Sequence, residues 1–362
     1  MADVKILRQS AEKLYAHEIE ALIADDRDEK PANWRMSPKS VLKFITGGKA
    51  GKVEITPKYI GHNRLVEIAI ATLLTDRALL LIGEPGTAKS WLSENLAAAI
   101  CGDSNRVIQG TAGTSEESIR YSWNYALLIA NGPTPQALIK SPILSCMEQG
   151  RIARFEEISR CSSEVQDALI SILSEKYISI PELATETQAV RGFSIIATAN
   201  TRDRGVNDMS SALKRRFNII ILPTPADIET EVDIVRRRVR EISSGYNITA
   251  KIPGDEDIVK IVTIFRELRQ GLTIDKSQKI KPPSGVISTA EAISLITNGM
   301  ALAAGFGDGN VSENDLAAGL QGAVVKDDDK DRLVWKEYLE NVMKKRGSEW
   351  RKLYNACREL NG

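Results

Sequence analysis

Residues 83–90 read GEPGTAKS and lie between the apolar run ALLLI and the stretch WLSENLAAAI. In such a loop, consecutive backbone N–H groups wrap an anion at the N-terminus of the following helix. A lysine adds a point charge, and a final hydroxyl reaches a divalent cation. Gly83, Gly86, Lys89 and Ser90 supply those parts, and Glu84, Pro85, Thr87, Ala88 and Trp91 complete the stretch that would surround a triphosphate. The pattern normally has a second glycine where Ala88 stands. Alanine is at ease in helical backbone, so the loop is expected to survive with Ala88 in that conformation.

Hydrolysis needs more than a cradle. The stretch RIARFEEISR ends an apolar run with Glu156 and Glu157. One carboxylate there suits Mg²⁺, together with Ser90, and the next suits polarising an attacking water. Two acids opening a helix could merely favour its dipole. Glu156 stands where aspartate is usual and is one methylene longer, a reach difference of about 1.5 Å. Asn200 ends the run FSIIATAN, a position suited to ordering water or a γ-phosphate, or simply to closing a strand with a turn. Arg215 and Arg216 stand in SSALKRRFNIIIL between a helix and a strand. There they read either as transition-state cations or as a solvated basic pair.

These residues need elements to hold them. A helix over about Asn63–Thr75 and a buried strand at Ala78–Ile82 precede the glycine loop. Further apolar runs follow at RVIQ, RIARF, FSIIATA and NIIIL. Short buried strands alternating with helices predict an α/β sandwich, a parallel sheet wrapped on both faces. Two segments interrupt the alternation, a Gly/Pro-rich extended hairpin at about 121–142 and a second hairpin at about 178–192. Helical spacing also runs from Val4 to about Leu22, with another short helix in SPKSVLKFIT. From Asp227 onward the pattern is helical. The expected organisation is an N-terminal helical segment over 1–50, a nucleotide-binding core over 51–226, and a helical lid with C-terminal helices over 227–362. The charge run KDDDKDR at 326–332 reads as a solvated turn.

Composition narrows the function classes. Of 362 residues, 48 are Lys or Arg and 48 Asp or Glu, so no global field grips nucleic acid or an anionic membrane. No apolar stretch is long enough to span a bilayer, and the N-terminus lacks an apolar signal core. The four cysteines (Cys101, Cys146, Cys161, Cys357) are scattered and read as reduced thiols of a cytoplasmic protein. With only His17 and His62 present, carboxylates, lysines and arginines must carry any chemistry.

Taken together, Lys89, Glu157, Asn200 and Arg216 in this order and spacing resemble an AAA+ ATPase over most of residues 50–300. GEPGTAKS, with alanine before lysine, is similar to the MoxR branch. FEEISRCSSEVQDALISILSE resembles that branch's Walker B segment and the helix after it. The two hairpins resemble its helix-2 insert and pre-sensor-1 hairpin, and YIG at 59–61 resembles the element that contacts adenine. The resemblance implies a P-loop NTPase αβα sandwich with a mainly parallel five-stranded sheet and an all-helical lid. It implies ATP and Mg²⁺ as cofactors, adenine contacts from Ile60 and Gly61, and Walker A contacts from Lys89 and Ser90. Glu156 and Glu157 would be the Walker B pair and Asn200 sensor 1. Arg216 would be an arginine finger serving a neighbouring subunit of a ring, usually a hexamer, with Arg215 and Arg160 as further candidates.

Two departures stand out. Where a sensor-2 arginine is expected, the chain reads GVISTAEAIS, in which Ser288 and Glu291 make a capping box. Arg154 lies inside the strand before the acids, where an apolar residue is expected, with the nearby carboxylates as candidate partners. Three functions follow: an ATP-driven remodeller of a protein client, often beside a von Willebrand A-domain partner; a nucleic-acid motor; and a slow nucleotide-switched scaffold. Against the motor, the first hairpin carries Lys140 as its single positive charge, and the second carries two acids and Arg191.

Overall fold

The computed structural model describes residues 7–200 and 209–360. It divides into two compact units: residues up to Pro223 apart from Pro85–Thr87, and those three residues with everything from Thr224 onward.

Five strands form the central sheet of the first unit: β1 (Ala78–Gly83), β2 (Val107–Gln109), β3 (Ile152–Glu156), β4 (Ser194–Asn200) and β5 (Phe217–Leu222). Their order is β5-β1-β4-β3-β2, and every pair is parallel. Successive side chains of a strand point to opposite faces, and both faces are covered. Leu79 and Leu81 join Ile196, Ile220 and Leu222 in a core with the helices Pro38–Thr46, Asn63–Leu73 and Lys89–Cys101. Ala78 and Leu80 join Phe155, Ile195 and Ala197 in a second core with the helices Pro142–Gln149 and Ser163–Glu175. Two-sided burial is why β1 and most of β4 are apolar, whereas the edge strands β2 and β5 expose Val107, Ile219 and Ile221. The register sets Asn200 beside Gly83 and Glu156 beside Gln109, so the polar residues that end the strands share the carboxyl edge of the sheet. In parallel α/β sheets that edge is where ligands bind.

The single helix expected over 4–22 is two, Ala11–Leu14 and Ala16–Asp25, broken at Tyr15; residues 4–6 lie outside the described residues. The break is compensated by packing, because the Tyr15 ring meets Phe44 at 6.0 Å and Trp91 at 6.3 Å, both edge-on. Arg8 pairs with Glu94 at 2.6 Å, and a Glu12 carboxylate oxygen accepts from the Ser104 N–H at 3.3 Å. Residues 7–25 are thus bound against the helix Lys89–Cys101. A small hairpin, Gly48–Ala50 with Val53–Ile55, was not foreseen.

The 121–142 insert is not extended throughout. Tyr121–Trp123 pairs antiparallel with Leu138–Lys140, and a helix, Tyr125–Asn131, fills the space between. Asn124 Oδ1 accepts from Leu127 N at 3.2 Å and starts that helix, and Gly132, at φ +74°, ends it. The later hairpin pairs Tyr177–Ile180 with Thr185–Gln188 around the short turn Pro181–Leu183. Tyr121 Oη donates to Glu182 Oε2 at 2.9 Å, so the two inserts are tied together.

Helices Ile228–Gly245, Asp255–Gln270, Thr289–Phe306, Glu313–Val324, Asp328–Asn341 and Arg351–Leu360 build the second unit around one core that includes Phe265, Trp335 and Tyr338. The Ser288–Glu291 capping box is present. KDDDKDR is exposed at 326, 327, 329, 330 and 332, as a solvated run would be, but it is more than a turn. It leads into the helix Asp328–Asn341, and Asp331 is fully buried. Its carboxylate accepts from the backbone N–H groups of Ser284 (2.7 Å), Lys326 (2.9 Å) and Asp327 (2.8 Å), and from the Ser284 hydroxyl (2.8 Å). Burial would push this carboxyl up, but those hydrogen bonds outweigh it and hold it at about 2.

Candidate active site

The glycine loop turns from β1 into the helix Lys89–Cys101 with Gly86 at φ +83° and Ala88 at φ +61°, ψ 23°. Ala88 is therefore left-handed and does not have the helical backbone expected for it. Alanine at this φ bears the strain that glycine would avoid. Lys89 Nζ donates to the carbonyls of Gly83 at 3.0 Å and Glu84 at 2.8 Å.

Glu156, at the end of β3, is 4 % exposed and is held from both sides. Its Oε2 accepts from Ser90 Oγ (2.6 Å) and Thr198 Oγ1 (2.7 Å). Its Oε1 accepts from Ser93 Oγ (2.5 Å) and Arg154 Nη2 (2.8 Å). Burial alone would raise its pKa. The Arg154 guanidinium and the three hydroxyls overcome that and lower it, so the group stays an anion. The partner of Arg154, open in the sequence, is thus Glu156.

Glu157 follows in the left-handed region at φ +58°, which turns its side chain out of the strand direction. Its N–H donates to Thr198 Oγ1 at 3.0 Å. Asn200 Nδ2 donates to Glu157 Oε1 at 3.1 Å and Oε2 at 2.9 Å, and Arg160 Nε donates to Oε2 at 3.2 Å. Gly110 closes the floor, its N–H donating to the Glu156 carbonyl at 2.7 Å. A Cβ on Gly110 would stand 2.5 Å from the Glu157 carbonyl oxygen, so only glycine fits.

Ser90, Lys89, Glu156, Glu157 and Asn200 are therefore brought together at one edge of the sheet. Arg215 and Arg216 are not. Phe217 pairs with Ala78, so both arginines sit at the amino end of β5, about 17 Å along the strand from Gly83 at 3.3 Å per residue. Arg216 donates to Ser174 Oγ at 2.9 Å and to the Ala212 carbonyl at 3.1 Å. Ile60 and Gly61 lie in the loop before Asn63–Leu73, where a Cβ on Gly61 would stand 2.7 Å from the Tyr59 hydroxyl oxygen. Trp91 leans on Tyr15.

Sequence reasoning missed Ser93 and Thr198. Ser93 is one helical turn from Ser90, and Thr198 is two residues before Asn200, so each shares a face with a residue already singled out.

A hydroxyl and a carboxylate beside a glycine loop, with a second carboxylate held by an amide, form an arrangement with the donor groups a P-loop ATPase needs. Residues 78–217 match the AAA domain of the dynein-related subfamily, and residues 229–361 match the YehL-like AAA+ ATPase C-terminal domain. Over 358 residues the chain is 40% identical to the protein YehL of Escherichia coli K12, a match spanning 98% of this chain and 97% of that one. The chain belongs to the YehL-like AAA+ ATPase family and is an ATP hydrolase. A Staphylococcus aureus USA300 protein is 25% identical over 213 residues, 59% of this chain and 74% of its own. Among solved structures, NtrX from Brucella abortus in complex with ATP is 15% identical, covering 84% of this chain and 70% of that one, with a TM-score of 0.49. No helix among the described residues is long and apolar enough to cross a membrane.

Proposed function

We propose that the chain is a ring-forming, Mg²⁺-dependent ATPase of MoxR type that remodels or matures a protein partner, with a von Willebrand A-domain protein as the expected companion. The observation that carries the reading is the assembly of Ser90, Glu156, Glu157 and Asn200 on one sheet edge. The donor chemistry fits Mg²⁺, which takes few protein oxygens and completes its shell with phosphate and water. Ser90 and Glu156 would hold the ion, which would screen phosphate charge. Lys89 and the loop amides would hold the phosphates, with Ile60 and Gly61 at the base.

Glu157 would accept the proton of the attacking water, oriented by Asn200. Arg216, remote from its own chain's loop, would act on a neighbouring subunit's nucleotide in a ring, most simply a hexamer. A protein client is favoured over nucleic acid by the tip of the first insert, where Tyr125 is 66 % and Ile129 86 % exposed. Four unbridged thiols suit a cytoplasmic location.

Glu157→Gln tests the reading. Turnover should fall about 10²–10⁴-fold while ATP stays bound through gel filtration. Unchanged turnover would remove Glu157 as the base, and loss of nucleotide binding in the wild type would remove the site.

A further inference from the structure

Arg154 is a charged side chain, 7 % exposed, on a strand whose Ile152, Ala153 and Phe155 are sheet core. Alternation along β3 puts it on the same face as Glu156, toward the helix after the glycine loop. Its Nε donates to Ser93 Oγ (3.0 Å), its Nη1 to the Ser104 carbonyl (2.9 Å), and its Nη2 to the Ser90 carbonyl (3.2 Å) and Glu156 Oε1 (2.8 Å). The planar fork is thereby fixed by three groups that belong to the helix Lys89–Cys101 and the turn after it, and its remaining bond goes to the carboxylate. Ser93 passes the same constraint on, accepting from Arg154 while donating to Glu156 Oε1.

We propose that Arg154 is a positioning residue matched to the length of Glu156. With Ser93 it holds one carboxylate oxygen, and the extra methylene lets the other oxygen still reach Ser90 and Thr198. An aspartate at this position would fall short of one set of partners by about 1.5 Å, the length of one C–C bond. Arg154 and Glu156 together thus replace the usual pairing of an apolar strand residue with the shorter acid. The inference rests on Ser90 and Glu156 holding Mg²⁺, as proposed above.

The test is a double-variant cycle on the full chain, using R154L, E156D and the pair. It reads the Mg²⁺ concentration that half-saturates binding of a fluorescent ATP analogue, with melting in EDTA as a metal-free readout. Each single variant should raise the half-saturating Mg²⁺ about tenfold, the scale of one charged hydrogen bond. The double variant should return to within about threefold of wild type, and its EDTA melting temperature should exceed that of R154L. Arg154→Lys, which keeps the charge but not the fork, should restore Mg²⁺ binding only in part. Should R154L not fold, S93A with E156D carries the same cycle.

Additive single effects, or E156D binding Mg²⁺ as wild type does, would overturn the matched pair. If instead wild-type nucleotide binding ignores Mg²⁺, the metal reading fails, and the EDTA melting cycle still reports whether Arg154 and Glu156 are coupled.

Discussion

Replacing Ala88 by glycine should stabilise this ATPase, although helix-adjacent alanine-to-glycine changes ordinarily do the reverse. The left-handed backbone at φ +61° costs an L-residue roughly 1–2 kcal/mol. The Ala88 side chain is exposed, so removing its methyl forfeits little packing. Glycine's greater freedom in the unfolded chain takes back about 0.4–1 kcal/mol. From the midpoints of the two ranges the net gain is about 0.8 kcal/mol, which for a unit of this size is a rise of about 2–3 °C in melting temperature. Thermal and urea unfolding of the full chain without nucleotide read it directly. Ala88→Val supplies the opposite arm, since a β-branched residue is strongly disfavoured at positive φ, and should lose at least about 1 kcal/mol. ATP affinity of the glycine variant should stay within about threefold of wild type, because the loop conformation that strains alanine is the one proposed above to hold the phosphates. A less stable glycine variant together with an unaffected valine variant would show that Ala88 is not held left-handed, and the reasoning about the loop would fall.

Thr198→Val removes the hydroxyl shared by Glu156 Oε2 and the Glu157 N–H; stability should drop by about 1–3 kcal/mol and turnover with it, measured by urea unfolding and phosphate release. The Asp331 carboxyl sits at about 2 when folded against 3.8 when unfolded. Its contribution is therefore complete above pH 4 and is lost as pH falls toward 2. Unfolding followed between pH 5 and pH 2.5 should show that decline in the wild type and a shallower one in Asp331→Asn. Mixing Arg216→Ala subunits with Lys89→Ala subunits should restore part of the ATPase activity lost in each alone, as a residue acting across a subunit boundary requires; strictly zero activity in every mixture would refute action in trans.

The inner strands were legible because burial on both faces writes itself as apolar runs, and the loop was legible because few chemistries need glycines, lysine and serine at that spacing. What escaped were residues whose role depends on a face rather than a motif. Ser93 and Thr198 look like ordinary polar residues until helical and strand periods are laid beside Ser90 and Asn200. Arg154 looked anomalous for the opposite reason: its two-residue spacing from Glu156 was visible, but the acceptors that make its burial tolerable come from the helix and turn around Ser93 and Ser104. Asp331 was hidden because a run of acids is usually solvated, and only the fold supplies the backbone N–H groups that bury one of them. The left-handed turn at Ala88 was misread because local preference favours a helix and the loop's task overrides it.

The docking of residues 7–25 also has a practical side. Glu12 holds Ser104, Ser104 holds Arg154, and Arg154 holds Glu156, so residue 12 lies three polar links from the central carboxylate of the candidate site. Trimming those leading turns to make a minimal ATPase fragment would strip the backing from the very side chains whose chemistry the fragment was meant to display. A fusion joined at that end would lean on the same scaffold.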